Sequence, residues 1–438
     1  MDRREFLRVV GLGAVGLGGL GMCGCTGTFA RSGGEGTEKR RPNILLIVSD
    51  DQGYNDLGCY GTYDMFRNDL VDHDHLYTKE EYAVSWEMIG GMDTREVLIS
   101  NVLKQTGYAC GIFGKWDLGQ LHRFLPLQRG FDEFYGFTNT GIDYWTHERY
   151  GVPSMRRGNK PTTEDKGTYA TDLFRREAIR FIKRHKDGRF FCYVPFNAPH
   201  GASNLERPRP GVQAPLEYIL KHYGGYDAEA PNSRKARRIR YMAAITYMDD
   251  AIGQILRALH ECGVADNTMV VFLSDNGGSG SAADNGPLRG GKGSMFEGGI
   301  RVPCIVRWPG VVPGRTICGD FLTALEIFPT ICSAAGVQPP QGVVLDGFDM
   351  TAVVAGKQKS PRKEMFWQRR GDKAGRVGNF KWVESARGSG LFDLSRDIGE
   401  RHDLSKERPD VLHTVKSRFA EWKKRMAEAE PRGPFRDF

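Results

Sequence analysis

A chain of 438 residues, 40% hydrophobic and 26% charged, is long enough for one large domain plus a smaller one, which excludes disorder as the default state. Its 61 Lys and Arg against 54 Asp and Glu give a net charge of +7, spread along the chain instead of gathered in a basic block, so no nucleic acid partner is expected. The surplus suits an anionic ligand through long-range attraction, although solubility explains it equally well.

The first 25 residues differ in kind from the rest. Arg3-Arg4, in an Arg-Arg-Glu-Phe-Leu context, precede a Gly-rich apolar run from Val9 to Met22. This reads as a twin-arginine export signal. The run falls short of the roughly 20 predominantly apolar residues that a membrane span needs. Cys23 and Cys25 close it, and Cys25 after Gly24 is the better fit to a lipoprotein processing site. The expectation is export to the periplasm or cell envelope, with membrane attachment through a lipidated N-terminal cysteine; cleavage without lipid is the alternative. Residues 26–41 read as a polar, charged linker. The later cysteines are Cys59, Cys110, Cys192, Cys262, Cys304, Cys318 and Cys332. Their odd number, the lack of a Cys-x-x-Cys pair and the apolar setting of several predict buried free thiols instead of a disulfide framework.

Beyond the linker, Asn43-Ile-Leu-Leu-Ile-Val48 is a continuous apolar run bounded by Pro42 and Ser49-Asp50-Asp51, the pattern of a fully buried parallel strand. Similar runs recur at Phe190 to Phe196 and Thr268 to Leu273, with helical patterns over Tyr169 to Arg184 and Arg237 to His260. Such alternation predicts an α/β fold with a doubly wound sheet, whose ligand sits beyond the carboxyl ends of the strands. Asp50-Asp51, Asn197 to His200 and Asp275-Asn276 fall at those ends. From about Gly356 the texture changes to strands near Phe380 to Glu384 and Gly390 to Leu394, then a charged helix from Pro409 to Glu430. That stretch predicts a small α+β terminal domain.

Asp50 and Asp51 at one strand end, with Asp275 and Asn276 at another, give four oxygen-bearing side chains in equivalent positions. Hard oxygen ligands select calcium or magnesium over zinc. An Asp-Asp pair alone is more often a helix cap or a solvated turn; the combination carries the argument.

Pro42-Asn-Ile-Leu-Leu-Ile-Val-Ser-Asp-Asp-Gln-Gly53 followed by Leu57-Gly-Cys-Tyr-Gly61 resembles the opening of a formylglycine-dependent sulfatase. The resemblance continues through Gly107-Tyr108, Phe113-Gly-Lys-Trp116, Arg129-Gly-Phe-Asp-Glu-Phe-Tyr-Gly-Phe137 and Ala198-Pro-His200. Its longest stretch is Asn285-Gly-Pro-Leu-Arg-Gly-Gly-Lys292, continuing through Glu297-Gly-Gly-Ile-Arg-Val-Pro303 to Trp308-Pro-Gly310. Leu391-Phe-Asp-Leu394, Asp397, Gly399-Glu400 and Asp403-Leu404 resemble the family's terminal domain. The resemblance implies an alkaline phosphatase-like architecture, with a catalytic domain over residues 42–355 and a small α+β domain over 356–438. It implies that Asp50, Asp51, Asp275 and Asn276 hold a divalent cation, usually Ca2+ with Mg2+ as the alternative. Lys115, His200 and Lys292 then contact the sulfate or the leaving group, and the substrate is a sulfated small molecule or glycan.

Two departures stand out. The family's nucleophile is formylglycine, made from the first residue of a Cys/Ser-x-Pro-x-Arg sequence, and this chain contains no such sequence. Cys59 belongs to the opening block and is not that nucleophile. The interval from Thr62 to Thr106 is short for the family, which points to a deletion just after Gly61, with Thr62-Tyr63 as its junction. A sheet-flanking helix is then missing, and exposed apolar surface is expected. Asp117 is the second departure, standing where the family usually has histidine; a carboxylate there repels sulfate, pairs with Lys115 or adds a metal ligand. Three readings stay open: a sulfatase, a pseudo-sulfatase that binds sulfated or phosphorylated ligands without turnover, and a phosphatase or phosphodiesterase of the same superfamily using Thr62.

Overall fold

The apolar runs build one large mixed sheet. A computed structural model describes residues 41–52, 91–205, 211–339, 341–342 and 344–428. The export signal, the linker up to residue 40, Cys59, Thr62 and the rest of the interval up to residue 90 lie outside the described residues. In chain order the strands are β1 (Asn43–Ser49), β2 (Tyr108–Lys115), β3 (Glu133–Phe137), β4 (Met155–Arg157), β5 (Lys160–Pro161), β6 (Arg189–Pro195), β7 (Thr268–Ser274) and β8 (Cys304–Arg307). In space they run β8-β7-β1-β6-β2-β3-β4-β5. The central five are parallel; β8 and β4 add antiparallel edges. The expected doubly wound, mainly parallel α/β sheet is thus what forms.

Continuous apolar sequence in β1 follows from its position, since it is buried along its whole length with helices over both faces. Leu45, Ile47, Cys192 and Val194 pack against α2 (Ala170–His185) and α3 (Arg234–Glu261) through Phe174, Phe181, Met248 and Ile255. On the other face Ile44, Leu46, Met269 and Val271 meet a short helix, Ile99–Lys104, and the helix Ile327–Ala335. Each fully buried aliphatic side chain there contributes about 1.5–3 kcal/mol.

The loss of apolar cover expected from the short interval after Gly61 is not seen on β1, where Ile44 and Leu46 are 0% and 1% exposed. Exposure falls instead on β8, where Ile305 is 40% exposed. The cysteine expectation needs a matching correction. Cys110, Cys192 and Cys332 are buried, but Cys304 and Cys318 are exposed; Cys304 opens the strand that, among the described residues, ends the sheet.

The terminal region forms an antiparallel meander of β9 (Glu364–Arg369), β10 (Asp372–Val377), β11 (Phe380–Ser385) and β12 (Gly388–Asp393). Val415 and Phe419 of the final helix, Pro409–Glu428, bury one face against Phe366, Trp382 and Leu391. The opposite face brings Ala374, Val383 and Phe392 onto Met295 and Phe296 of the preceding region.

Candidate active site

Parallel pairing delivers the polar strand ends to one place. Ser49 of β1 lies beside Ser274 of β7, so the residues that follow them are neighbours. The Asp275 backbone N–H donates to Ser49 O at 3.0 Å, and that of Asp50 to Ala198 O at 3.1 Å. Asp51 adopts φ 67°, a left-handed conformation uncommon outside glycine and a mark of functional sites. Its backbone N–H donates to Asp275 Oδ1 at 2.9 Å. Asn276 Nδ2 donates to Asp51 Oδ1 at 2.9 Å and to Asp275 Oδ1 at 3.0 Å.

Three cationic or ionisable groups face these acids. Lys115 ends β2, and its Nζ lies 3.0 Å from Asp50 Oδ2 and 3.4 Å from Asp117 Oδ2. Gly114 permits that approach: a Cβ there would stand 2.0 Å from Pro195 O of β6, at a φ of +139°. Lys292, on the loop after β7, pairs with Asp51 Oδ1. His200 Nε2 lies 3.9 Å from Asp51 Oδ2, and its Nδ1 bonds Gly201 O at 2.7 Å. A carbonyl only accepts, so the proton sits on Nδ1 and Nε2 faces the acids.

Burial opposes ionisation of Asp50, but Lys115, His200 and Lys292 outweigh it and hold its carboxyl well below the usual carboxylate range. Burial, followed by the charges of Asp50 and Asp51, pushes Asp275 well above it. Burial also lowers His200 against the opposing pull of Asp50 and Asp51. Crowded acids of this kind suit a divalent cation, and the donor set agrees. Asp50 Oδ1 is buried without a hydrogen-bond partner. Ligand atoms of Asp50, Asp51 and His200 fall within 4.8 Å of one another.

All eight residues singled out from the sequence, Asp50, Asp51, Lys115, Asp117, His200, Asp275, Asn276 and Lys292, meet at this one end of the sheet. Three others escaped that reading. Tyr144 is fully buried, and its hydroxyl contacts the carbonyls of Asn197 and His200 at 2.9 and 2.8 Å. The Tyr241 hydroxyl donates to Asp51 O at 3.2 Å. Asn197 is buried, with both side-chain polar atoms lacking a hydrogen-bond partner. Only Asn197 carried a signal, its place at a strand end; the tyrosines lie among ordinary core aromatics.

Comparison with known proteins agrees with the geometry. The family model described as Sulfatase matches residues 62–337, a span that includes Lys115, His200, Asp275, Asn276 and Lys292. This chain belongs to the sulfatase family. It is 28% identical to N-acetylgalactosamine-6-sulfatase of Canis lupus familiaris over 483 aligned positions, covering 89% of this chain and 87% of the relative. Arylsulfatase A of Homo sapiens is also 28% identical, with 86% and 87% covered. An alignment of 483 positions is longer than the 438-residue chain, so the dog enzyme has segments with no counterpart here. Among solved structures, Ps i-CgsB in complex with k-i-k-neocarrahexaose superposes with a TM-score of 0.70 at 28% identity, covering 87% of this chain and 93% of the other. BT4656, solved in complex with its substrate D-glucosamine-2-N,6-O-disulfate, shares the fold, with a TM-score of 0.62 at 19% identity and 90% and 99% coverage.

Proposed function

We propose that this protein engages sulfate esters of glycans at a divalent-metal site, in the manner of a sulfatase. The observation that carries the reading is the juxtaposition of Asp50, Asp51, Asp275 and Asn276 with Lys115 and Lys292 at the carboxyl ends of parallel strands. Asp50, Asp51, Asp275 and the Asn276 amide oxygen would hold Ca2+, with Mg2+ as the alternative. When bound, that ion supplies positive charge against the sulfate oxygens. Lys115 and Lys292 would turn from the aspartates to the sulfate, offsetting charge on the transferring group. His200 would face the leaving oxygen through Nε2. A sulfate beside the ring adds negative charge that favours the imidazolium, and the Gly201 carbonyl keeps the ring oriented while it donates the proton.

Export by the twin-arginine signal, with a lipid on the N-terminal cysteine, would place this site outside the cytoplasm. Sulfated polymers are met there. Two similar proteins support a glycan ligand, one named N-acetylgalactosamine-6-sulfatase and one crystallised with k-i-k-neocarrahexaose.

One observation favours a second reading, in which the site binds without turnover: the sequence holds no Cys/Ser-x-Pro-x-Arg. An aryl sulfate assay separates the two, run beside calorimetric titration of a sulfated oligosaccharide with and without calcium. Turnover supports the hydrolase; calcium-dependent binding without turnover supports the pseudo-sulfatase. Neither activity would sink both.

A further inference from the structure

From the geometry we infer that the terminal domain sets the position of Lys292 through a buried charge latch, making Lys381 a positioning residue for the anion pocket. Lys381, on β11, is fully buried; its Nζ lies 2.9 Å from Glu297 Oε1 and 2.9 Å from Glu400 Oε1. Glu400 is itself fully buried and takes φ 53°, and its Oε2 accepts the Glu297 backbone N–H at 2.5 Å. Glu400 Oε1 makes no hydrogen bond, so its contact with Lys381 is an ion pair alone; three charge-bearing groups without solvent are costly to assemble, and removing one strands the others.

Glu297 stands five residues after Lys292, and the backbone that follows it packs tightly on the segment around Lys292. A Cβ on Gly299 would lie 2.1 Å from Ser294 O, and one on Gly298 would lie 2.5 Å from Gly290 O. Backbone bonds from Gly298 to Arg289 O at 2.7 Å and from Lys292 to Gly278 O at 3.1 Å close the loop on itself. Two further arginines of the terminal domain reach the same turn. Arg387 Nη1 lies 3.4 Å from Lys292 O, and Arg369 Nη1 lies 3.3 Å from Gly293 O. The opposing lysine, Lys115, stands at the end of β2. The two ammonium groups of the pocket therefore come from differently governed elements. The importance of Lys292 to anions rests on the function proposed above; the latch itself does not.

The test is acetylation of the full-length chain by acetic anhydride, with rates at Lys292 and Lys115 read by peptide mass spectrometry. In Lys381→Met, Lys292 is expected to react about fivefold faster while Lys115 keeps its rate, a change of the size that coupled neighbouring elements carry. Unchanged rates at both lysines, or equal rises at both, would overturn the latch. Glu400→Gln keeps the buried shape and removes one charge of the latch, and it decides the matter if Lys381→Met does not fold: a selective rise at Lys292 supports the latch, and no change overturns it. Sodium sulfate that fails to protect Lys292 in the wild-type chain counts against the anion pocket and leaves the latch standing.

Discussion

The backbone N–H of Asp51 donates to Oδ1 of Asp275 at 2.9 Å, joining residues 224 positions apart in the sequence. Replacing Asp275 by alanine removes that bond and one carboxylate of the proposed cation site together. Calcium is expected to raise the melting temperature of the wild-type chain and to leave that of Asp275→Ala unmoved. A calcium-induced shift of the same size in both would end the metal assignment.

Asp117 sits 3.4 Å from Lys115 at the rim of the pocket and draws on a cation that the sulfate also needs. Asp117→His should therefore tighten binding of a sulfated oligosaccharide by roughly three- to tenfold, equivalent to about 0.7–1.4 kcal/mol for removal of a partly exposed like charge. Titration calorimetry reads this directly. Weaker binding in the variant would mean that the carboxylate serves the site.

Tyr144 ties the backbone carbonyls of Asn197 and His200 through one hydroxyl, in a ring stacked 5.3 Å from Tyr169. Tyr144→Phe keeps the ring and removes the tie. It should cost about 1–2 kcal/mol in urea denaturation. Ligand affinity should fall with it, since the His200 loop loses its brace; a variant as stable as wild type would remove Tyr144 from the account.

Acid sensitivity has a defined source away from the pocket. Arg176 grips both oxygens of Asp165, at 2.9 and 2.7 Å, and with a third bond from the Tyr135 hydroxyl holds that carboxyl down at about 2. Its folded value lies below its ordinary 3.8, so the unfolded chain takes up the proton first. The associated stability is present above about pH 4 and is lost as pH falls toward about 2. Asp165→Asn should lower stability at neutral pH by about 1 kcal/mol, allowing for partial exposure of the pair, and flatten the decline below pH 4. Parallel urea titrations at several pH values would show it, and identical acid slopes would rule it out.

Much of the fold was legible because its central strands are buried on both faces and read as unbroken apolar runs. β1, β6 and β7 were found within a residue or two in this way, as was α2 from its helical period; α3 was found with its start three residues late. β2 was not, because Gly111 and Gly114 interrupt Tyr-Ala-Cys-Gly-Ile-Phe-Gly-Lys; those glycines answer to neighbouring atoms, not to strand propensity. β8 has only four residues, and β10 reads Asp-Lys-Ala-Gly-Arg-Val with no alternation, so neither gives a periodic signal. At the site, groups on strand ends could be anticipated. Tyr144 and Tyr241 could not, since their hydroxyls find partners only after distant segments pack.

β8 carries a consequence for handling the protein. Among the described residues it is the last strand of the sheet, and it carries an exposed Ile305 and an exposed Cys304. A strand of that composition at the end of a sheet invites a second molecule to add edge to edge, after which air oxidation locks the pair covalently. Dilute, reducing buffers should therefore preserve monomer through purification, and storage at high concentration without reductant should convert it to soluble dimer and then to precipitate.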